Sequence, residues 1–368
     1  MTPFKNIAII GVGIIGGSLG LSLKRKEPGI RILGISRKQT LDKALALGAI
    51  DQGFERSELE TCLPKADLVF ICTPISIIIE MLPKIAYAIR PGTLVTDVGS
   101  TKFEIVKRAK DCFKKDKYFL GGHPMAGNEG RGVEWADALL FENATYVLTP
   151  SQRIPNEIMQ YFVNLIERIG AKTITLDPQL HDQVAAAVSH LPQLLAVSLM
   201  NVITQFQNKK ASSLFLKLAA GGFRDMTRIA SSPYEIWRDI FQTNQQNVSH
   251  YIDTFIENLK EMKKKLVQEN LSETFENAAR NRLSIPHDTK GFLRPHFDLS
   301  VWVEDKPGVI AAISTTLAEK GINIKDIEVL KIREGDSGTI RLSLETEADR
   351  QTAQELLKQI GFTSRPRN

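Results

Sequence analysis

The sequence predicts a mixed α/β protein in three parts. These are a doubly wound, mostly parallel sheet over residues 1–176, an all-helical region over 177–281, and a small α+β sandwich over 296–368 that follows a linker at 282–295. Three observations predict it. A short apolar run near the start enters a glycine-rich turn and then a helix-compatible stretch. Strand-like and helix-like segments alternate as far as Leu176. From His181 to about Arg280 the periodicity is helical, and strand signals return only past Pro295.

Bulk properties limit the function classes. A chain of 368 residues has room for two or three domains of ~100–200 residues each. Hydrophobic residues make up 43% and charged residues 24%, which suits a water-soluble fold with sizeable cores. The net charge of +5 is mild, its basic residues are scattered, and aromatics are 7%, so no nucleic-acid partner is expected. Cys62, Cys72 and Cys112 form no CxxC pair and read as reduced thiols of a cytoplasmic protein, with no metal expected. Ile7 to Leu23 is uncharged and nearly long enough to span a bilayer. Five glycines interrupt it and no A-x-A-like cleavage site ends it, so neither a signal peptide nor a membrane helix is expected.

Asn6 to Ile10 reads as a strand buried on both faces. It runs into Gly11-Val12-Gly13-Ile14-Ile15-Gly16, between strand and helix, where such a pattern signals a Rossmann-type dinucleotide site. Gly11 permits the tight turn, Gly13 lets a pyrophosphate approach the backbone, and Gly16 lets helix pack on strand. Free N–H groups at the helix start then face the phosphates. The strand Arg31–Ile35 leads to Ser36-Arg37-Lys38, where NAD-specific folds place an acidic residue for the ribose 2′-hydroxyl. A missing carboxylate beside two cations favours NADP over NAD.

The alternation continues with a strand at 67–72 ending in Thr73-Pro74, a helix at about 76–89, and a strand at 93–97. Its end, Asp97-Val98-Gly99-Ser100-Thr101-Lys102, falls at the carboxyl edge, where open α/β sheets bind ligands. Tyr118 to Leu120 brings Gly121-Gly122-His123-Pro124-Met125-Ala126-Gly127 to the same edge. It reads as a flexible loop presenting an unshielded imidazole near pKa ~6.5, suited to taking a proton at neutral pH. Ser100 and His123 are expected to share one crevice. Segments 146–149 and 173–176 read as closing strands, with an amphipathic helix at 154–169 between them.

In the helical region, Val184 to Leu199 is almost wholly apolar and should be a buried helix or a subunit interface. Pro192 should end or kink it beside Ser189, His190 and Gln193. Gly221-Gly222 marks a break before Arg228, and Ser232-Pro233 starts the helix that carries Trp237. Past the linker, a βαββα(β) order implies a ferredoxin-like sandwich.

Taken together, these motifs resemble the TyrA family of prephenate, arogenate and cyclohexadienyl dehydrogenases of tyrosine synthesis. The resemblance rests on GVGIIGGS, VTDVGSTK, GGHPMAGNE, HDQVAAAVSHLP and GGFRDMTRIASSPYEIWRDI, in that order along nearly the whole chain. The last part, with EDKPGVIAAI and GINIKDI, resembles ACT domains, which bind amino acids. The resemblance implies oxidative decarboxylation of a cyclohexadiene bearing a ring carboxylate and a hydroxyl. By resemblance His123 is the base, Ser100 its orienting partner and Arg228 the carboxylate clamp. Glu129, Ser189 and Trp237 line or gate the pocket. Thr73 and Pro74 join Gly11, Gly13, Ile14, Ile15, Gly16, Ser36, Arg37 and Lys38 as cofactor-binding positions. A homodimer is expected, with L-tyrosine as effector at Asp305, Gly308, Val309, Gly321 and Asn323. Gln193 stands where many prephenate-specific relatives have a second histidine, which leaves arogenate open as substrate. Two rival readings remain: another β-hydroxyacid-type dehydrogenase, and a non-catalytic sensor of NADP and amino acids.

Overall fold

The computed structural model describes residues 4–127, 130–150, 154–204, 209–284, 296–332 and 337–367. Contacts divide the chain into two compact units, Met1–Leu271 and Ser272–Asn368.

The first unit is built on an eight-stranded sheet. Its strands are β1 (Asn6–Ile10), β2 (Arg31–Ser36), β3 (Gln52–Glu55), β4 (Leu68–Ile71), β5 (Leu94–Asp97), β6 (Tyr118–Pro124), β7 (Thr145–Pro150) and β8 (Lys172–Thr175). They lie in the order β3-β2-β1-β4-β5-β6-β7-β8, and every pairing is parallel except β6 with β7. Side chains of β1 alternate between two cores. Ile7 and Ile9 pack with the helix Ile14–Lys26 on one face, Ala8 and Ile10 with the helix Ile75–Ala88 on the other. Covering both faces is what lets the strands be continuous apolar runs. β3 escaped the sequence reading because Gln52-Gly53-Phe54-Glu55 has neither an apolar run nor β-branched residues.

One expectation is corrected here. The segment around His123 is not a flexible loop: Gly121 to Pro124 belong to β6 and are buried. Its glycines are there for close packing, since neither has a positive φ. A β-carbon on Gly121 would lie 2.2 Å from Thr149 Oγ1, and one on Gly122 would lie 2.6 Å from the Asp97 carbonyl oxygen. Of the two alternatives at Pro192, an end or a kink, the helix does not end there but is disrupted just before it. The helix Pro178–Ala185 passes into a π turn, Ala186–His190, and continues as Leu191–Thr204. A proline ring clashes with the carbonyl four residues back. The wider turn, closed by Leu191 N–H to the Ala186 carbonyl, moves that carbonyl aside.

Residues 178–204 are long and apolar enough to cross a membrane by length and composition alone. The helix nonetheless carries buried His181, Asp182, His190 and Gln193 into the protein, where Asp182 accepts hydrogen bonds from backbone beyond β5. Its apolar side chains are only partly buried within the chain: Ala185, Ala186 and Ala196 are buried, whereas Val184 and Val188 are exposed, Val188 by 62%.

The second unit contains a four-stranded antiparallel sheet in the order β10-β11-β9-β12, from β9 (Phe297–Glu304), β10 (Ile324–Ile332), β11 (Ser337–Leu344) and β12 (Thr363–Arg367). The helices Val309–Ala318 and Glu347–Gln359 pack on one face through Ile313, Leu317, Ala353 and Leu357. This is the ferredoxin-like arrangement. The helix Ser272–Ser284 falls with this unit.

Candidate active site

The turn after β1 has the shape of a phosphate cradle. Gly11 takes φ +90° and donates its N–H to the Ile35 carbonyl at 2.8 Å. A β-carbon there would lie 2.5 Å from the Cys72 carbonyl oxygen, and one on Gly16 would lie 2.2 Å from the Gly11 carbonyl oxygen. Gly13, in contrast, has open space where its β-carbon would point, and no side chain caps the helix it begins. The leading N–H groups are thus left for an anion, so these residues fit a pyrophosphate. Thr73 and Pro74 stand at the end of neighbouring β4, and half-buried Ile14 and Ile15 form the helix's first turn. Ser36 is buried at the end of β2, while Arg37 and Lys38 are exposed at the start of the next helix.

Beside this cradle a buried polar network surrounds His123. Lys102 is wholly buried and donates from Nζ to Asp97 and, at 2.8 Å, to the Gly122 carbonyl. Asp97 also accepts from Gly99 N–H at 2.8 Å and Gly122 N–H at 3.2 Å, tying β5 to β6 next to the imidazole. Asp182, from the helical region, accepts from Lys102 N–H at 2.7 Å and Phe103 N–H at 2.9 Å, so it caps the helix Phe103–Cys112. His181 Nδ1 lies 2.8 Å from Asp182 Oδ1, and His181 Nε2 lies 2.8 Å from His123 Nδ1. Asn244 donates to the Asp182 carbonyl at 2.7 Å and lies 3.2 Å from His190 Nδ1.

The electrostatics correct a further expectation. His123 is 8% exposed, and burial above all pushes its pKa well below the ordinary histidine value; positive charge on His181, Lys102 or His190 pushes the same way. At neutral pH it is therefore a neutral imidazole with a lone pair to offer. Burial likewise lowers His190 to about 4, although Asp182 works against it.

Other candidates distribute unevenly. Ser100 is half-buried at the same edge, but the hydrogen bond on His123 Nδ1 goes to His181, not to Ser100. The helical region thus supplies a ring nitrogen at His123 Nδ1. Ser189 is half-buried in the π turn. Gln193 is buried and donates Nε2 to the Ile229 carbonyl at 3.0 Å, beside exposed Arg228, while its Oε1 has no partner. Trp237 meets His190 edge-on at 6.1 Å and stacks on Phe241 at 5.5 Å. Glu129 lies outside the described residues. In the second unit Asp305, Gly308 and Val309 line a cavity of about 330 Å³, whereas Gly321 and Asn323 do not line it and lie past the far end of the helix Val309–Ala318.

Lys102, His181, Asp182 and Asn244 were not singled out from the sequence. Two signals were legible for three of them: His181-Asp182 precedes an otherwise apolar stretch, and Lys102 follows directly on the loop carrying Ser100. Among the described residues no group of three or more His, Cys, Asp or Glu could hold a metal ion.

Known proteins resemble this chain along nearly its whole length. Family models match at residues 19–175 (prephenate dehydrogenase, nucleotide-binding domain), 177–279 (prephenate dehydrogenase, dimerization domain) and 297–362 (ACT domain). The chain is 37% identical to the prephenate dehydrogenase of Bacillus subtilis over 358 residues, 96% of this chain and 95% of that one. It superposes on prephenate dehydrogenase from Aquifex aeolicus, in complex with hydroxyphenyl propionate and NAD+, with a TM-score of 0.69 and 32% identity, covering 76% of this chain and 96% of the other. Synechocystis arogenate dehydrogenase matches with a TM-score of 0.66 and 29% identity, covering 76% and 99%.

Proposed function

The chain belongs to the prephenate dehydrogenase family, and we propose that it catalyses the nicotinamide-dependent oxidative decarboxylation of prephenate to 4-hydroxyphenylpyruvate in tyrosine synthesis. The observation that carries this reading is His123, a buried imidazole kept neutral at the sheet edge that also bears the phosphate cradle. A bound nicotinamide supplies the acceptor for the hydride lost from the ring carbon.

In this reading His123 Nε2 receives the proton of the ring hydroxyl, for which a neutral, dry imidazole is suited. Ser100 acts from the substrate side of the same edge. Arg228 clamps the ring carboxylate with a planar, bidentate guanidinium. Glu129, Ser189 and Trp237 close the pocket. Arg37 and Lys38 direct the cofactor preference to NADP, because Ser36 leaves no carboxylate to repel a 2′-phosphate. The exposed apolar face of residues 178–204 is covered by a second copy of the chain, and L-tyrosine acts as a feedback effector on the ACT unit.

A second reading concerns the substrate side chain. The buried Gln193 Oε1 lacks a donor. An ammonium would supply one and a keto group would not, so arogenate is a substrate alongside prephenate.

Both readings are tested by following nicotinamide reduction with prephenate and arogenate, each with NAD and NADP. His123→Asn should lower kcat by roughly 10²–10⁴-fold with KM little changed. Near-normal turnover of that variant would overturn the role of His123. Absence of turnover on arogenate would overturn the second reading alone.

A further inference from the structure

The contacts behind His123 determine where its proton sits. Asp182 uses both oxygens as acceptors, Oδ1 for Lys102 N–H and Oδ2 for Phe103 N–H. A carboxylate has no proton to give, so the 2.8 Å contact with Oδ1 requires the hydrogen on His181 Nδ1. A neutral His181 then has only the lone pair of Nε2 to offer, and His123 Nδ1 lies 2.8 Å from it.

We infer that His181 and Asp182 are a positioning pair which fixes His123 as its Nδ1–H tautomer and leaves its Nε2 lone pair for the substrate hydroxyl. The inference rests on the reading of His123 as proton acceptor and adds how that acceptor is set. Its logic is that of the third group in a nucleophile–base–acid triad, extended by one ring.

The alternative proton pattern runs against the local charges. A doubly protonated His181 would donate to His123 and place the latter's proton on Nε2, the wrong side. It would also add a positive charge to a dry site that already holds Lys102. The titratable groups around the two rings are Lys102 and Asp97 from β5 and the loop after it, and Asp182 and His190 from the helix carrying His181. Lys102 is engaged by Asp97, and Asp182 by the N-terminus of the helix Phe103–Cys112.

The arrangement also suits the step itself. When the hydroxyl O–H bond breaks, its electron pair stays on oxygen and the proton goes to His123 Nε2. The imidazolium then keeps Nδ1–H directed at His181, and His181 keeps its own directed at Asp182. No hydrogen bond in the chain is remade, and the chain that supports the new imidazolium ends in the Asp182 carboxylate.

Nitrogen-15 NMR of the full-length protein labelled in histidine reads the tautomer directly, with His123→Asn assigning the signals. The expected result is a protonated Nδ1 and a lone-pair-bearing Nε2 on His123. A protonated Nε2 on His123 at neutral pH would overturn the inference while leaving His123's catalytic importance untouched. Kinetics give a second readout. His181→Leu removes the acceptor and should lower kcat by roughly 10–100-fold, with KM and cofactor affinity changed by less than about threefold. The acid limb of its kcat profile should move to lower pH, because the imidazolium loses its hydrogen-bond acceptor. His181→Gln, whose amide oxygen can accept from Nδ1–H, should recover about tenfold of that loss. If both variants lose KM and kcat alike with an unmoved limb, His181 is merely structural and the positioning role fails.

Discussion

Lys102→Met tests the most unusual feature of the site, a lysine with no exposed side-chain surface. Burial lowers the pKa of Lys102, and Asp97 holds it up against that penalty. Removing the ammonium leaves Asp97 equally buried, with the N–H groups of Gly99 and Gly122 as its partners among the described residues. Breaking such a pair from one side costs about 3–5 kcal/mol. For a unit of this size that corresponds to a Tm fall on the order of 10 °C. Adding Asp97→Asn removes the stranded charge and should recover most of the loss. The variant also has a kinetic signature with a definite sign. The charge on Lys102 disfavours protonation of His123, so its loss raises the pKa of that imidazole, and activity should fall away at higher pH on acidification. Denaturant melts of the single and double variants, with kcat against pH for the single one, supply the measurements. A single variant within about 1 kcal/mol of the parent would refute the burial argument. An acid limb that stays put or moves down would refute the electrostatic one.

Arg37→Ala should raise the KM for NADP far more than that for NAD; equal effects on both would remove the basis for the cofactor preference. Sedimentation should give a dimer at micromolar concentration, because the 178–204 helix leaves Val184 and Val188 exposed, and a stable monomer would contradict it. L-tyrosine should inhibit in a graded way, since coupling between distant sites is typically worth ~1–3 kcal/mol. A chain ending near Arg280 should stay active and lose that graded response. Identical tyrosine responses of the two proteins would leave the ACT unit without a sensory role.

Much of this protein is legible in one dimension because the signals are local. A turn needing Gly11 at positive φ, an apolar strand before it and a helix after it occupy about twenty residues, and each constrains the next. The same holds for the alternating β9 and the Gly308 turn into its helix. His123, too, could be singled out as a candidate base from its neighbours in the chain. What surrounds it could not. The glycines beside it suggested looseness, whereas Thr149 and Asp97, brought up by β7 and β5, leave them no room for a β-carbon. The π turn before Pro192 depends on where a carbonyl goes once the helix is already formed. The environment of His123 comes from positions 97 and 102, placed by the pairing of β5 with β6, and from 181 and 182, brought up by the packing of the 178–204 helix. Composition and spacing identify which groups can carry chemistry. Burial and hydrogen-bond partners decide their protonation, and both depend on atoms distant in sequence, so only the tertiary fold made His123 a buried, neutral imidazole in contact with His181.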